Sequence, residues 1–553
     1  MSPRRLTLPS RGLTRHFVVN GRREWILYLL VMTAYLLLRV LLIPTEADLT
    51  NAFSHDSGYL ALVADNLVKG RGYVQEALWL VFLMPAALPM PYHNANPLFP
   101  TVTAAVTWLT GDVFQSGFIV AAFASVLLLG AVIALFRPMV RTPWQAIGLA
   151  SAVVLFPPVL TDSFLYLTDA LCASLVIGSV AIINRTNSSS AFFVAGGLLG
   201  LAWLTRAATV LVAPALLVYL LLRFDLRTAA SRLTVMLIAA VLISSPWLVH
   251  TKRVWGSFFR SDSGYAMVQV LAAKKSHQNS VVRFWHSTEA PASLGTFVLD
   301  APAAVIRQVT IGTFIIAKRT LGWWSMHSVP IALVLLGGLL VWTFERRRWW
   351  SPEAAAFTVF AVTTVVVLSI RAEEFEERYV DTLTILFAIF AVAGCWRAWQ
   401  RSTRTLRPLC ALALVVVWAA LIPVGIVKTY SQTYAPDAAL TAYRAAASEM
   451  DRRYAQGQPV VVGMVPYFYA LETRSPALNF PDASDEFLLR YMDKYNARYV
   501  FLTRDELQFW RPSWTSPSAL PKGLRMRGVV ADGFVFEKTR RADAMASGGS
   551  ARP

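Results

Sequence analysis

Long apolar runs separated by short basic clusters set the pattern of the chain as far as about residue 428. The first run, Trp25 to Pro44, follows a polar leader carrying Arg4, Arg5, Arg11, Arg15, Arg22 and Arg23. It is long enough to cross a bilayer as a helix. It is too long for a signal-peptide core and no small-residue cleavage site follows, so it reads as a retained first span with its N-terminus in the cytoplasm. Further runs of spanning character are Gln115 to Phe136, Trp144 to Leu160, Leu165 to Ile183, Ala191 to Thr205, Ala207 to Leu222, Leu233 to His250, Trp324 to Phe344, Ala354 to Ile370, Tyr379 to Trp396 and Pro408 to Val427. Two weaker pieces, Asn96 to Thr110 and Ala303 to Leu321, decide whether the count is eleven or thirteen. If neither spans, the clusters Arg137/Arg141, Arg223/Arg227/Arg232, Arg346/Arg347/Arg348 and Arg397/Arg401/Arg404/Arg407 all fall on the side of the N-terminus, as the bias of cytoplasmic loops toward Lys and Arg requires. That consistency favours eleven, with thirteen as the alternative.

The segments left on the other side are the loops 45–96 and 251–302, the short stretch 371–378, and everything after about Lys428. In the first loop Tyr59, Leu60, Leu62, Val63 and Leu67 recur at helical spacing after Phe53-Ser54-His55-Asp56-Ser57-Gly58, and the pattern stops at Gly70-Arg71-Gly72. This predicts an amphipathic helix lying along a membrane surface. The tail has a different pattern. It offers a helix near Ala438 to Tyr454, a strand over Pro459 to Gly463, a helix near Ser484 to Tyr495 and a strand over Tyr499 to Thr503, an alternation that predicts a small α/β domain outside the membrane. The expected organisation is a cytoplasmic leader over 1–23, a transmembrane domain over 24–428, an extracytoplasmic α/β domain over 429–541, and an Ala/Ser/Gly-rich, disordered tail over 542–553.

Composition agrees with the pattern. Hydrophobic residues make up 56% of the 553 positions and charged residues 15%, with a mean hydropathy of +0.50, more apolar side chain than a water-soluble core can hide. The fold class is therefore an α-helical polytopic membrane protein. A net charge of +18 and a pI near 10.0 would fit nucleic-acid binding, but the Arg clusters lie between apolar runs and are accounted for by topology, so no nucleic-acid partner is expected. Cys172, Cys395 and Cys410 sit in or beside apolar runs without CxxC spacing, and indicate neither a disulfide framework nor a zinc site. No P-loop or GxGxxG fingerprint is present, in keeping with a substrate that is not nucleotide-linked.

Candidate chemistry collects at the outer boundary. Asp56 follows the first span, His93 and Asn96 precede Pro97, Asp162 and Asp169 flank the start of the Leu165 run, Arg206 sits between two spans, and Glu373, Glu374, Glu376, Glu377, Arg378 and Tyr379 close a late loop. Asp56 suits a helix N-cap as well as a catalytic base. Asp169 lies within an apolar run, where an ionisable group is costly and marks function.

In this order the residues resemble the GT-C superfamily of membrane glycosyltransferases, close to the family 39-like enzymes that include aminoarabinose lipid A transferases and protein O-mannosyltransferases. The resemblance runs over nearly the whole chain. It rests on Asp56 with Tyr59, on Ala64-Asp65-Asn66-Leu67-Val68-Lys69-Gly70-Arg71-Gly72-Tyr73, on Pro97-Leu98-Phe99-Pro100, on Thr168-Asp169, on Leu204-Thr205-Arg206, on Pro246-Trp247 and on Arg378-Tyr379. The chain departs from the family pattern at Phe99, where Tyr is commoner, at Asp381, where a helix-starting Pro is frequent, and in the acidic run Glu373 to Glu377. The resemblance implies a GT-C fold and an inverting transfer of one sugar from a polyprenyl-phosphate donor to a lipid, glycan or protein acceptor, on the outer face of a bacterial cytoplasmic membrane. Asp56 would be the general base and Asp169 would orient the acceptor or share that role. Arg378, Arg206 and Lys69 would hold the donor phosphate, and Tyr59, His93, Asp162 and Tyr379 would line the substrate site. No cofactor is required; a divalent ion at the acids is compatible with the pattern without being demanded by it. Two rivals are a lipid-linked glycan transporter or flippase, which would need charges along a midplane path and related halves, and an O-antigen ligase or polymerase of another membrane fold, against which the early Asp56 pattern argues.

Overall fold

The structure is a computed structural model that describes residues 21–92, 96–259, 286–288, 298–320, 322, 352–370, 380–401, 423, 425–463, 465–531 and 533–539. Helix α1 (Gly21–Leu41) is the first expected span, with Arg39 in its last turn. The loop after it leads into α2 (His55–Val68) and then to α3 (Leu98–Thr110), α4 (Val113–Phe136), α5 (Pro143–Val154) and α6 (Pro157–Phe164). The membrane part continues through α7 (Asp169–Arg185), α8 (Ser189–Thr205), α9 (Val212–Arg223) and α10 (Leu226–Trp255). A helix over 302–320 and the helices Pro352–Ser369 and Asp381–Arg401 follow. Among the described residues five helices are long and apolar enough to cross a membrane, and a bent pair makes a sixth. The molecule is a multi-pass membrane protein.

Local sequence explains the main departures from expectation. The run Trp144 to Leu160 is not one span: α5 starts on a capping box made by Thr142 and Gln145, and α6 leaves it at 74°. Pro157 and Pro158 cause the break, because neither can donate the helical hydrogen bond and the residue before a proline is driven out of the helical region. Helix α3 has 13 residues, about 20 Å of rise, too short to span. It packs on α2 and α4 and leaves Trp108 and Leu109 more than 80% exposed, as a helix lying in a membrane interface would. Close packing in the membrane uses small residues: Gly196 and Gly200 of α8 lie so near the backbone of Met236 and Ala240 in α10 that a Cβ would collide there. Most of the expected spans Trp324 to Phe344 and Pro408 to Val427 lies outside the described residues, as do the leader and the tail over 542–553.

The loop 45–96 supplies β1 (Val74–Gln75), β2 (Ala77–Leu78) and β3 (Met90–Pro91), of which β1 and β3 pair with each other. The C-terminal region supplies β4 (Val460–Val462), β5 (Ala477–Asn479), β6 (Tyr499–Thr503), β7 (Leu524–Val530) and β8 (Gly533–Lys538), which with β2 form a six-stranded sheet in the order β2-β5-β4-β6-β8-β7. Its central members β4, β5 and β6 are parallel, and β8 and β7 continue it antiparallel. The edge strand β2 (Ala77–Leu78) comes from the first outer loop and pairs in parallel with β5, Ala77 opposite Ala477. The C-terminal sheet is thus completed by residues from the 45–96 loop. Backbone bonds from Asn51 to Ala435 (3.0 Å) and from Asp437 to Leu49 (2.9 Å) sew the same two regions together. Arg444 adds ion pairs to Asp48 (2.6 Å) and Glu472 (2.7 Å).

Candidate active site

The loop 50–57 and the segment 165–168 meet where α2 and α7 begin. The Tyr166 amide donates to the Ala52 carbonyl (3.2 Å), and the Ser57 hydroxyl donates to the Tyr166 carbonyl (2.9 Å). Phe53 stands edge-on to Tyr166 with centroids 5.4 Å apart, and Gly117 of α4 leaves the space that the Tyr166 ring fills. These contacts set two helix starts side by side, each with a carboxylate in its first turn: Asp56 on α2 and Asp169 on α7. Ser54, not Asp56, is the N-cap residue of α2, so the Asp56 carboxylate is not used as the cap.

The two carboxylates sit in different surroundings. Asp169 is only 4% exposed and forms an ion pair with Arg206, which ends α8. Asp56 is partly exposed. A carboxylate in a salt bridge holds its cation in place. Asn96 donates to the Trp203 carbonyl and so ties the start of α3 to the same end of α8. The described residues include no group of three His, Cys, Asp or Glu side chains able to hold a metal ion.

Tyr59 follows Asp56 by one turn and enters an aromatic wall, with ring centroids 6.4 Å from Trp79, 6.1 Å from Tyr92 and 6.0 Å from Tyr467. Trp79 and Tyr467 stack nearly flat, 4.6 Å apart at 7°. Tyr467 belongs to the helix Pro466–Thr473 of the outer domain, which presses on α2 at Gly58, where a Cβ would strike the Tyr467 and Phe468 rings. The wall continues through Tyr73, 5.3 Å from Tyr92 and 5.0 Å from Trp247. The Gly-Tyr and Pro-Trp marks, far apart in sequence, are thus neighbours. Asn66 holds the end of α2, donating to the Val74 carbonyl (3.0 Å) and to Glu76 Oε2 (2.6 Å), while Arg71 donates to Glu76 Oε1 (2.9 Å).

Other expected residues are placed elsewhere. Lys69 lies just beyond the far end of α2 and pairs with Asp65; at about 1.5 Å of rise per residue it stands roughly 20 Å from Asp56. The structure does not bring it to the two carboxylates. Asp162 is buried on α6, close in sequence to the tethered segment. His93, Arg378 and Tyr379 lie outside the described residues. A recess of about 210 Å³ lined by Asn51, Thr161, Leu165, Thr429, Gln432 and Thr433 carries no ionisable side chain. The second outer loop reaches the outer domain at His286, whose Nδ1 is 2.5 Å from the Phe480 carbonyl oxygen and whose ring centre is 4.1 Å from that of Trp510. Burial pushes the His286 pKa down to about 4.

No family model and no curated protein matches the sequence. Solved structures do match in three dimensions. ArnT from Cupriavidus metallidurans bound to undecaprenyl phosphate superposes with a TM-score of 0.55 at 14% identity, covering 94% of this chain and 99% of that one. The Archaeoglobus fulgidus oligosaccharyltransferase tethered to an acceptor peptide containing the NVT sequon superposes with a TM-score of 0.58 at 12% identity, covering 89% of this chain and 71% of that one. Both are members of the GT-C superfamily. The chain has the GT-C fold. Sequence reasoning named both carboxylates and Arg206 as candidates and did not name Ser57, Trp79 or Tyr467, which the structure places beside them or beside Tyr59. Ser57 carried a weak signal, a small polar residue beside a candidate acid; Trp79 and Tyr467 carried none, because their meeting depends on strand β2 joining a sheet almost 400 residues away.

Proposed function

We propose that the protein is an inverting glycosyltransferase that moves a sugar from a polyprenyl-phosphate donor to an acceptor hydroxyl at the outer face of the bacterial cytoplasmic membrane. The observation that carries this reading is the pair of helix starts, one with a partly exposed carboxylate and the other with a carboxylate sealed against an arginine, at the outer ends of membrane helices and under an aromatic wall. In the proposed step the acceptor oxygen attacks the anomeric carbon from the face opposite the phosphate. Asp56 takes the hydroxyl proton, the bond between the anomeric carbon and the phosphate oxygen breaks, and polyprenyl phosphate leaves with the bonding electrons. Inversion follows from the single displacement.

Arg206, kept in place by Asp169, is oriented to hold negative charge as it grows on the leaving phosphate, a task for which its fork of donors is suited. Arg378 joins it in this reading on the strength of its sequence pattern. Tyr59 and Tyr379 line the sugar side, and the step requires no metal or other cofactor. The acceptor is a lipid, glycan or protein of the cell envelope. Mass spectrometry of envelope lipids, glycans and proteins from cells with and without the gene tests the reading. A sugar missing from one acceptor in the deletion strain is expected, restored by the parent gene and not by one encoding Asp56→Asn. Identical envelopes would overturn it.

A further inference from the structure

A short helix ends at α6 just before the segment that carries Asp169, and its last carbonyls have no partners within the helix. Two of them are satisfied from elsewhere. Arg39, in the last turn of α1, donates from Nη2 to the Ser163 carbonyl (2.5 Å) and lays its guanidinium over the Phe164 ring, 3.8 Å from the centroid. Tyr434 donates its hydroxyl to the Phe164 carbonyl (3.5 Å). It follows the helix over 425–433 that leads into the outer domain. Tyr430 of that helix donates to the Leu42 carbonyl (3.1 Å), so the same helix is tied to the end of α1 as well.

Arg39 is 3% exposed, and its Nε and Nη1 have no hydrogen-bond partner. A buried guanidinium left partly unsatisfied at the end of a membrane helix costs stability, and it is retained where its position does something else. Its cation is well placed against the negative end of α6. Beyond the cap the chain turns extended at Leu165 and is bonded at Tyr166 to Ala52 and Ser57 before α7 opens with Asp169. The cap is therefore the lower fixed point of the only link between α6 and the carboxylate start of α7, and the Ser57 tether is the upper one.

We propose that Arg39, with Tyr434, is a positioning residue for the transfer: it fixes the end of α6 and so sets where Asp169 and its Arg206 stand relative to Asp56. The inference rests on the glycosyltransferase reading for its consequence, and on the cap geometry for the placement itself. The test uses the full chain in detergent micelles, as parent, Arg39→Lys, Arg39→Gln and Tyr434→Phe, with hydrogen exchange followed by mass spectrometry and with product formed in cells. Exchange is expected to rise over 163–168 in Arg39→Gln and less in Arg39→Lys, with α4 and α8 unchanged, and product formation to fall about 10- to 100-fold in Arg39→Gln. Lysine keeps a cation at the helix end and is expected to recover part of the loss. Tyr434→Phe removes one oxygen and gives the same local change at smaller size, which keeps the test intact where Arg39→Gln does not insert. Unchanged exchange over 163–168, a rise spread evenly over all spans, or local exchange with full product formation would each overturn the proposal. If the parent itself adds no sugar to any acceptor, the glycosyltransferase reading fails, and the exchange pattern still decides whether Arg39 holds the segment.

Discussion

The starts of α2 and α7 are alike in build and opposite in setting. Each places an aspartate in its first turn, and Ser57 of α2 donates its hydroxyl to the Tyr166 carbonyl in the segment just before α7. Asp169 is 4% exposed and paired with Arg206, whereas Asp56 is partly exposed. The difference underlies the proposed division of labour, in which Asp169 keeps Arg206 in place and Asp56 is the base.

The largest effect should come from removing proton acceptance at the open start. Asp56→Asn keeps the volume, and because Ser54 is the cap residue no helix cap is lost. Turnover should fall about 10² to 10⁴-fold with the protein folded and inserted as before, measured as product per folded molecule. Near-parent turnover would end the role of Asp56 as base and turn attention to Asp169.

The closed start should respond in stability as well as in rate. Asp169→Asn removes the buried carboxylate that pairs with the partly exposed Arg206, at a cost below the roughly 3–5 kcal/mol typical of breaking a fully buried pair. Thermal unfolding in detergent should show the loss, and Asp169→Asn combined with Arg206→Gln should recover part of it. If Asp169→Asn left the unfolding temperature unchanged, the pair would not be the strut that the comparison makes it.

How much of this was legible in the sequence follows from the range of the interactions. The first span, the α2 periodicity and strand β6 at Tyr499–Thr503 are local patterns, and the sequence reading placed them within a few residues. The two carboxylates and Arg206 were found because an ionisable residue beside an apolar run is conspicuous. The break at Pro157 was underestimated, since an apolar run with prolines still looks continuous to a hydropathy window. The edge strand from the first loop was not foreseen for a different reason: Ala77–Leu78 is two residues long and becomes a strand only by pairing with β5. Lys69 was assigned to phosphate by its neighbours in a motif, and the geometry of a 14-residue helix carries it away from Asp56.

A smaller effect lies farther from both starts, where the second outer loop docks on the outer domain. His286 is held neutral by burial with a pKa of about 4, against 6.5 when free. Between those values the released loop binds a proton that the docked loop refuses, so docking is at full strength above about pH 6.5, weakens as the pH falls, and loses no more below about pH 4. Hydrogen exchange of the peptide containing His286 should therefore rise between pH 6.5 and 4, after correction for the intrinsic rate, with α2 and α7 unaffected. His286→Phe should abolish the pH step while keeping ring contact with Trp510. A step of equal size in that variant would remove His286 as its cause.

The smallest effect should come from the far end of α2. Lys69 and Asp65 form an exposed i, i+4 pair, and such pairs are worth about 0–1 kcal/mol. A cation that touched the donor phosphate would contribute to binding in the ground state, so its loss would raise KM. A cation roughly 20 Å along the helix from Asp56 has no such contact to lose. Lys69→Met should accordingly leave KM for the lipid-linked donor and kcat both within about twofold of the parent, in contrast to Arg206→Gln, which should raise KM and lower kcat together. The paired measurement matters because both cations were named for the phosphate, Arg206 ahead of Lys69. A tenfold rise in KM for Lys69→Met would mean that the phosphate lies toward the Gly70-Arg71-Gly72 turn, and the active centre would then have to be drawn around the end of α2 instead of its start.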